Sequence, residues 1–135
     1  MLRSTLVCGP PGAGKSTYVD DRREPGDIVV DFDALVEALC PGVGTDRSGI
    51  IIRLGMAVKA AAVEHLQKEP HTEGAPHAWI ISGAPTRKER DWYANWLGSR
   101  VVLIEPGRDV ALSQARAKYG EEAAAVVDRW YGGYT

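Results

Sequence analysis

The chain has 135 residues, 44% of them apolar and 25% charged, with 16 Lys+Arg against 18 Asp+Glu. A chain of this size is expected to form one compact domain over residues 1–135, with enough buried surface to need neither a disulfide nor a structural metal. The formal net charge of −2 argues against a general nucleic-acid coat, and the longest apolar-leaning stretch, Ile50 to Val63, is broken by Arg53 and Lys59, so membrane insertion is not expected.

Leu2–Cys8 reads as a buried strand, followed by a glycine-rich turn and a helix to about Arg23. Asp27–Asp31 is a second strand, and the short helix after it, Asp33–Leu39, ends at Pro41-Gly42. From Ser48 to about Glu69, residues Ile50, Leu54, Ala57, Val58, Ala61 and Leu66 recur at helical spacing and predict the longest helix. Ala78–Ser82 and Val101–Ile104 supply two further strands, with a helix from Thr86 to Leu97 between them and helices over Asp109–Lys118 and Glu121–Trp130 after them. Such alternation predicts an α/β fold: a parallel sheet of four to five strands, order 2-3-1-4, with helices on both faces and ligands beyond the strand carboxyl ends.

The linker-like stretch Pro70–Pro76 is too short to separate a pair of domains. Met1–Thr5 carries no secretion pattern, and Cys8 and Cys40 lie in dissimilar contexts, so a cytoplasmic setting is expected. Charge is unevenly spread. Residues 84–118 hold seven Lys/Arg and four Asp/Glu, whereas residues 1–83 hold eight and eleven, so anionic ligands are expected mainly along the second half.

Gly9-Pro10-Pro11-Gly12-Ala13-Gly14-Lys15-Ser16 matches G-x-x-x-x-G-K-[ST] where a strand gives way to a helix. Glycines there let successive N–H groups converge on phosphate oxygens, and the helix N-terminus adds its partial positive charge. Lys15 is expected on the β- and γ-phosphates, Ser16 on Mg²⁺ and Thr17 on the α-phosphate of ATP or GTP. A dinucleotide fingerprint is disfavoured, because Gly9-Pro10-Pro11 breaks the Gly-x-Gly spacing.

Val29-Val30-Asp31-Phe32-Asp33 sets two acids at a strand's carboxyl end, pointing the same way if extension continues to Asp33. Asp31 is expected to hold magnesium, and Asp33 to accept the proton of an attacking hydroxyl. Asp33 also suits the N-cap of the following helix.

The Gly9–Ser16 loop, the Asp31-x-Asp33 pair and the short length together resemble the small P-loop kinases, a group that includes polynucleotide, shikimate and gluconate kinases. The resemblance implies a three-layer P-loop NTPase fold and transfer of a γ-phosphoryl group to a hydroxyl. In shikimate kinase a similar pair of acids divides between magnesium and the substrate hydroxyl. In polynucleotide kinase the base is followed three residues later by Arg; Val36 stands there here, leaving Arg47 or Arg53 as replacements. The segment from Val101 through Ala117 is similar to the strand and helix before the lid of these kinases, which makes Arg116 the lid arginine, Arg129 the second candidate, and Lys118–Glu122 a very short lid. The whole spread, with Trp130-Tyr131, resembles small phage-encoded kinases related to polynucleotide kinase, some of which act on hydroxymethylated bases in DNA. No acid ends the strand Ala78–Ser82, which weakens a motor reading, and Gly83 is expected to admit substrate close to the backbone.

Thr86 is expected to cap a helix that presents Arg87 and Arg90 on one face as substrate contacts, though a solvated, ion-paired face suits such a run as well. Trp92, Tyr93 and Trp96 have a spacing that suits core packing, with stacking on bases as the alternative. His65, His71 and His77 lack metal-ligand spacing and are expected in solvent, and Cys8 in the core. Three acceptor readings stay open. A nucleic-acid or nucleotide hydroxyl, at a 5′ end or a modified base, fits the basic second half and the aromatic cluster; a small metabolite or nucleoside fits the acidic balance and the compact size; a nucleotide-binding regulator would show no transfer.

Overall fold

A computed structural model describes residues 2–135. Its core is a four-stranded, all-parallel sheet in the order β2-β3-β1-β4, built from β1 (Ser4–Cys8), β2 (Ile28–Val30), β3 (Ala78–Ser82) and β4 (Arg100–Leu103). β1 lies between β3 and β4 and is buried along its whole length, which is why its sequence shows no polar alternation. Its two hydroxyls enter the interior with partners: Ser4 Oγ meets Ser99 Oγ at 2.6 Å, and Thr5 Oγ1 meets His77 Nε2 at 2.8 Å. His77 is therefore half-buried rather than solvated.

Six helices connect and flank the strands: α1 (Lys15–Arg22), α2 (Phe32–Leu39), α3 (Gly49–Lys68), α4 (Arg87–Trp92), α5 (Arg108–Tyr119) and α6 (Ala123–Gly133). α4 runs on into a single π turn, Tyr93–Leu97. The chain moves one way across the sheet from β1 to β2 and the other way from β2 to β3 and from β3 to β4. Because parallel crossovers are right-handed, those connections fall on opposite faces. Leu6, Cys8, Val30 and Ile80 accordingly pack with Val63 and Leu66 of α3 and Leu97 of the π turn. On the other face Val7, Trp79 and Ile81 pack with Tyr18 and Val19 of α1. Each fully buried aliphatic side chain of this kind contributes about 1.5–3 kcal/mol. α5 and α6 form a separate pair around Ala111, Ala115, Ala123 and Val127.

Register fixes what reaches the carboxyl edge. Cys8 pairs with Ser82 and with Leu103, so Gly9, Gly83 and Ile104 emerge at one level. Val30 pairs with Ile80, which sets Asp31 beside Ile81.

α3 lies inward along Gly55, Val63 and Leu66, whereas Ile50 and Leu54, which help to mark it as a helix, are exposed. The inward stripe is set by α2. At Gly55 an added Cβ would stand 2.7 Å from Phe32 Cε2 and 2.8 Å from Val36 Cγ2, so the two helices cross there at a distance a side chain would prevent. Gly55→Val should destabilise the fold by about 1–3 kcal/mol, read as a lower urea midpoint at unchanged slope.

Candidate functional site

The loop between β1 and α1 is held on two sides. A Cβ on Gly9 would fall 2.1 Å from the Ile104 carbonyl oxygen, and one on Gly12, whose φ is +76°, would fall 2.7 Å from the Ala115 amide nitrogen. Only glycine fits at either position, so the loop is wedged between the end of β4 and the middle of α5. Gly9 N–H also donates to the Gly83 carbonyl at 3.3 Å, and Ala13 N–H to the Pro10 carbonyl at 3.2 Å. Ala13 and Pro10 are buried, Pro11 and Ser16 half-buried, and Gly14 and Thr17 open to solvent.

Gly14 caps α1 in a left-handed conformation; the helix start carries neither a side-chain cap nor an acid in its first turn. Its first N–H groups and its positive dipole end are thus left for an anion. α2 and α4 differ: Asp31 accepts from Asp33 N–H at 3.3 Å and Thr86 from Glu89 N–H at 3.1 Å. The cap of α2 is therefore Asp31, and Asp33 stands in the first helical turn. Extension stops at Asp31, so the two carboxylates are neighbours through this cap turn and not by strand alternation.

Lys15 Nζ folds back onto the loop, donating to the carbonyls of Gly9 at 2.6 Å and Pro10 at 3.2 Å. Burial, and then the like charge of Lys59, bring its pKa down to about 8, against the opposing pull of Asp31. Lys59 is the residue that sequence reasoning missed. It stands in the inward stripe of α3 between Gly55 and Val63, and donates to the Ile81 carbonyl at 2.9 Å, beside Asp31. A lysine one helical turn from residues of the buried stripe was the signal available. Burial lowers the Lys59 pKa, while Asp31 and Asp33 raise it. Asp31 is itself shifted up, first by burial and then by Asp33.

Asp33 has both oxygens engaged: Arg47 Nη1 donates to Oδ1 at 2.6 Å and the Tyr119 hydroxyl to Oδ2 at 3.3 Å. Arg47 therefore stands at the expected base, whereas exposed Arg53 contributes no ion pair among the described residues. Tyr119 is the last residue of α5, so the end of that helix reaches the same carboxylate. Arg116, in the last turn of α5, pairs with Glu121 at 3.1 Å and is half exposed. Arg129 is exposed on α6.

Two expected substrate contacts are engaged elsewhere. Arg90 is buried and donates to the carbonyls of Ala84 at 2.9 Å, Pro85 at 2.8 Å and Thr135 at 2.9 Å. Its guanidinium holds the turn after β3, where Ala84 takes a φ of +38°, and is closed to a ligand. The open side of Gly83 is filled by Trp130, whose Nε1 donates to the Gly83 carbonyl at 2.8 Å, so substrate has no approach there. Arg87 remains exposed.

Among the described residues no group of three or more His, Cys, Asp and Glu is arranged to hold a metal ion. Mg²⁺ bound with a polyphosphate takes only one or two protein oxygens, and Ser16 and Asp31 supply groups of the right chemistry. No protein-family model matches the chain, and no curated protein matches it.

The site predicts its own pH dependence. Lys15 is a cation below about pH 8 and neutral above it, so affinity for inorganic tripolyphosphate should fall as pH rises through that value. Lys59→Met removes the like charge and should move the midpoint to higher pH, measured by calorimetric titration across pH 6.5 to about 10.

Proposed function

We propose that this protein is a small P-loop NTPase of the kinase type, moving the γ-phosphoryl group of ATP or GTP to a hydroxyl borne by a nucleic acid or nucleotide. The observation that carries the reading is the wedged Gly9–Ser16 loop leading into an uncapped, acid-free α1, with Asp31 and Asp33 after β2 on the same carboxyl edge of the sheet and Lys59 of α3 beside them. Backbone amides and Lys15 would bind the triphosphate, Lys15 leaving its two loop carbonyls for phosphate oxygens. Ser16 and Asp31 would hold Mg²⁺, which would supply charge neutralisation to the phosphate groups.

The acceptor hydroxyl takes the place of the Tyr119 hydroxyl on Asp33 Oδ2, the longer of the two contacts this carboxylate makes. Its proton passes to Asp33, its oxygen forms the new bond to phosphorus, and the bond from phosphorus to the β-bridging oxygen breaks, leaving the diphosphate with the electron pair. Arg47 keeps Asp33 oriented through Oδ1. Lys59 adds a positive charge near the transferring group, and Arg116 reaches it once released from Glu121. Little covalent work falls to the protein in such a transfer, and the rate comes from positioning and charge.

With γ-labelled ATP, magnesium and separate pools of oligonucleotides, nucleosides and sugar acids, label should appear in the oligonucleotide pool. Lys15→Ala should lose turnover by orders of magnitude, and Asp33→Asn should lose transfer while keeping nucleotide affinity. Near-normal transfer by Asp33→Asn would remove the base assignment. Label confined to nucleosides or sugar acids would favour the small-metabolite reading, and binding without any labelled product a regulator.

A further inference from the structure

The aromatic run after β3 splits between core and surface. Tyr93 and Trp96 are partly buried against the main core, but Trp92 is 47% exposed and lies on Trp96 in a parallel stack, 4.7 Å between centroids at 19°. An indole pair open to solvent is a costly way to finish a surface, since Trp is among the largest apolar groups the chain has. The pair borders a shallow groove of about 580 Å³ lined by Arg87, Lys88, Asp91, Trp92, Asn95 and Trp96. Arg87 and Lys88 are exposed, and neither is paired with a carboxylate among the described residues. Lys88, Trp92 and Trp96 follow one another at four-residue steps, about 6 Å apart along a helix axis. The helix also changes to a π turn at Tyr93, a departure that recurs at functional sites.

We infer that this groove is a track for single-stranded nucleic acid, a base lying on the face of Trp92 while Arg87 and Lys88 take backbone phosphates. The ligand chemistry follows from the lining: a flat apolar face with cations at one end suits alternating bases and phosphates, whereas an apolar peptide would leave both cations unpaired. α4 begins five residues after Ser82, where β3 ends, so the cationic end of the track is the one nearer the sheet's carboxyl edge and its Asp33. The inference rests on the phosphotransfer reading and specifies its acceptor as a strand longer than one nucleotide.

The test uses the full chain, a short fluorescein-labelled oligothymidylate read by anisotropy, and MgATP read separately by calorimetry. Trp92→Ala should weaken oligonucleotide binding roughly 5- to 150-fold, and Trp92→Phe should retain most of it. The double variant Arg87→Gln, Lys88→Gln should lower the slope of log affinity against log salt by about 1.4. All three variants should bind MgATP as the wild type does, since none of these residues belongs to the loop.

Oligonucleotide affinity unchanged in Trp92→Ala overturns the track. So does a wild-type protein that binds MgATP and phosphorylates free nucleosides but not the oligonucleotide, an outcome that leaves phosphotransfer standing. Loss of self-association in Trp92→Ala, seen by sedimentation, would assign the stack to a contact between copies instead. Failure of the wild type to bind MgATP removes the phosphotransfer reading and the inference with it.

Discussion

The close approach of the Gly9–Gly12 backbone to Ile104 and Ala115 is the constraint on which the rest of the site depends. It brings the loop under β4 and α5 at once, so that the amides after Gly12 and the first turn of α1 have no freedom to swing away. Two side chains one carbon larger would push the loop outward, and α1 would then start from a different place. Because β1, β3 and β4 end at the same level, the loop, the turn after β3 and the start of the segment before α5 converge on one edge. Trp130 and Arg90 close the side of that edge around Gly83 and Ala84, leaving the Asp31 side as the approach.

Electrostatics at the edge are unbalanced in a way that an anion would correct. Lys15 and Lys59 share the neighbourhood of Asp31 and Asp33, and Arg47 and Lys118 add further positive charge. Desolvation opposes the charged form of Lys15, Lys59 and Asp31 alike. Lys15 meets its cost by donating to two loop carbonyls, bonds that a phosphate oxygen can replace with a full opposite charge. The proposed ligand therefore supplies what the fold lacks, and the same imbalance gives a reason for the inward-facing lysine on α3.

Much of the framework was legible because local signals and tertiary needs coincide there. The unbroken apolar run of β1, the glycine loop and the order of strands and helices all follow from period and turn chemistry, and the sheet has the expected order 2-3-1-4. Where two physical effects competed, local pattern was insufficient. Asp33 suits the cap by residue type and position, but β2 ends at Val30 and the cap falls to Asp31. On α3, Ile50 and Leu54 mark a helix but not its inner face, which Gly55 sets through contact with Phe32 and Val36, residues 19 to 23 positions earlier in the chain. Arg90 looked like a surface cation because the carbonyls that absorb it belong to a turn and to Thr135, far along the chain. Long-range partners of this kind leave no trace in a local pattern.

The most direct measurement is a calorimetric comparison of ATP and AMP, each with magnesium, on well-folded protein. A loop that grips the tail of a triphosphate through its amides and Lys15 should bind ATP with saturable heat and AMP far more weakly, since AMP lacks the phosphates those groups reach. Equal affinity for the two, or no heat with either ATP or GTP, would contradict a phosphate-binding role for residues 9 to 16.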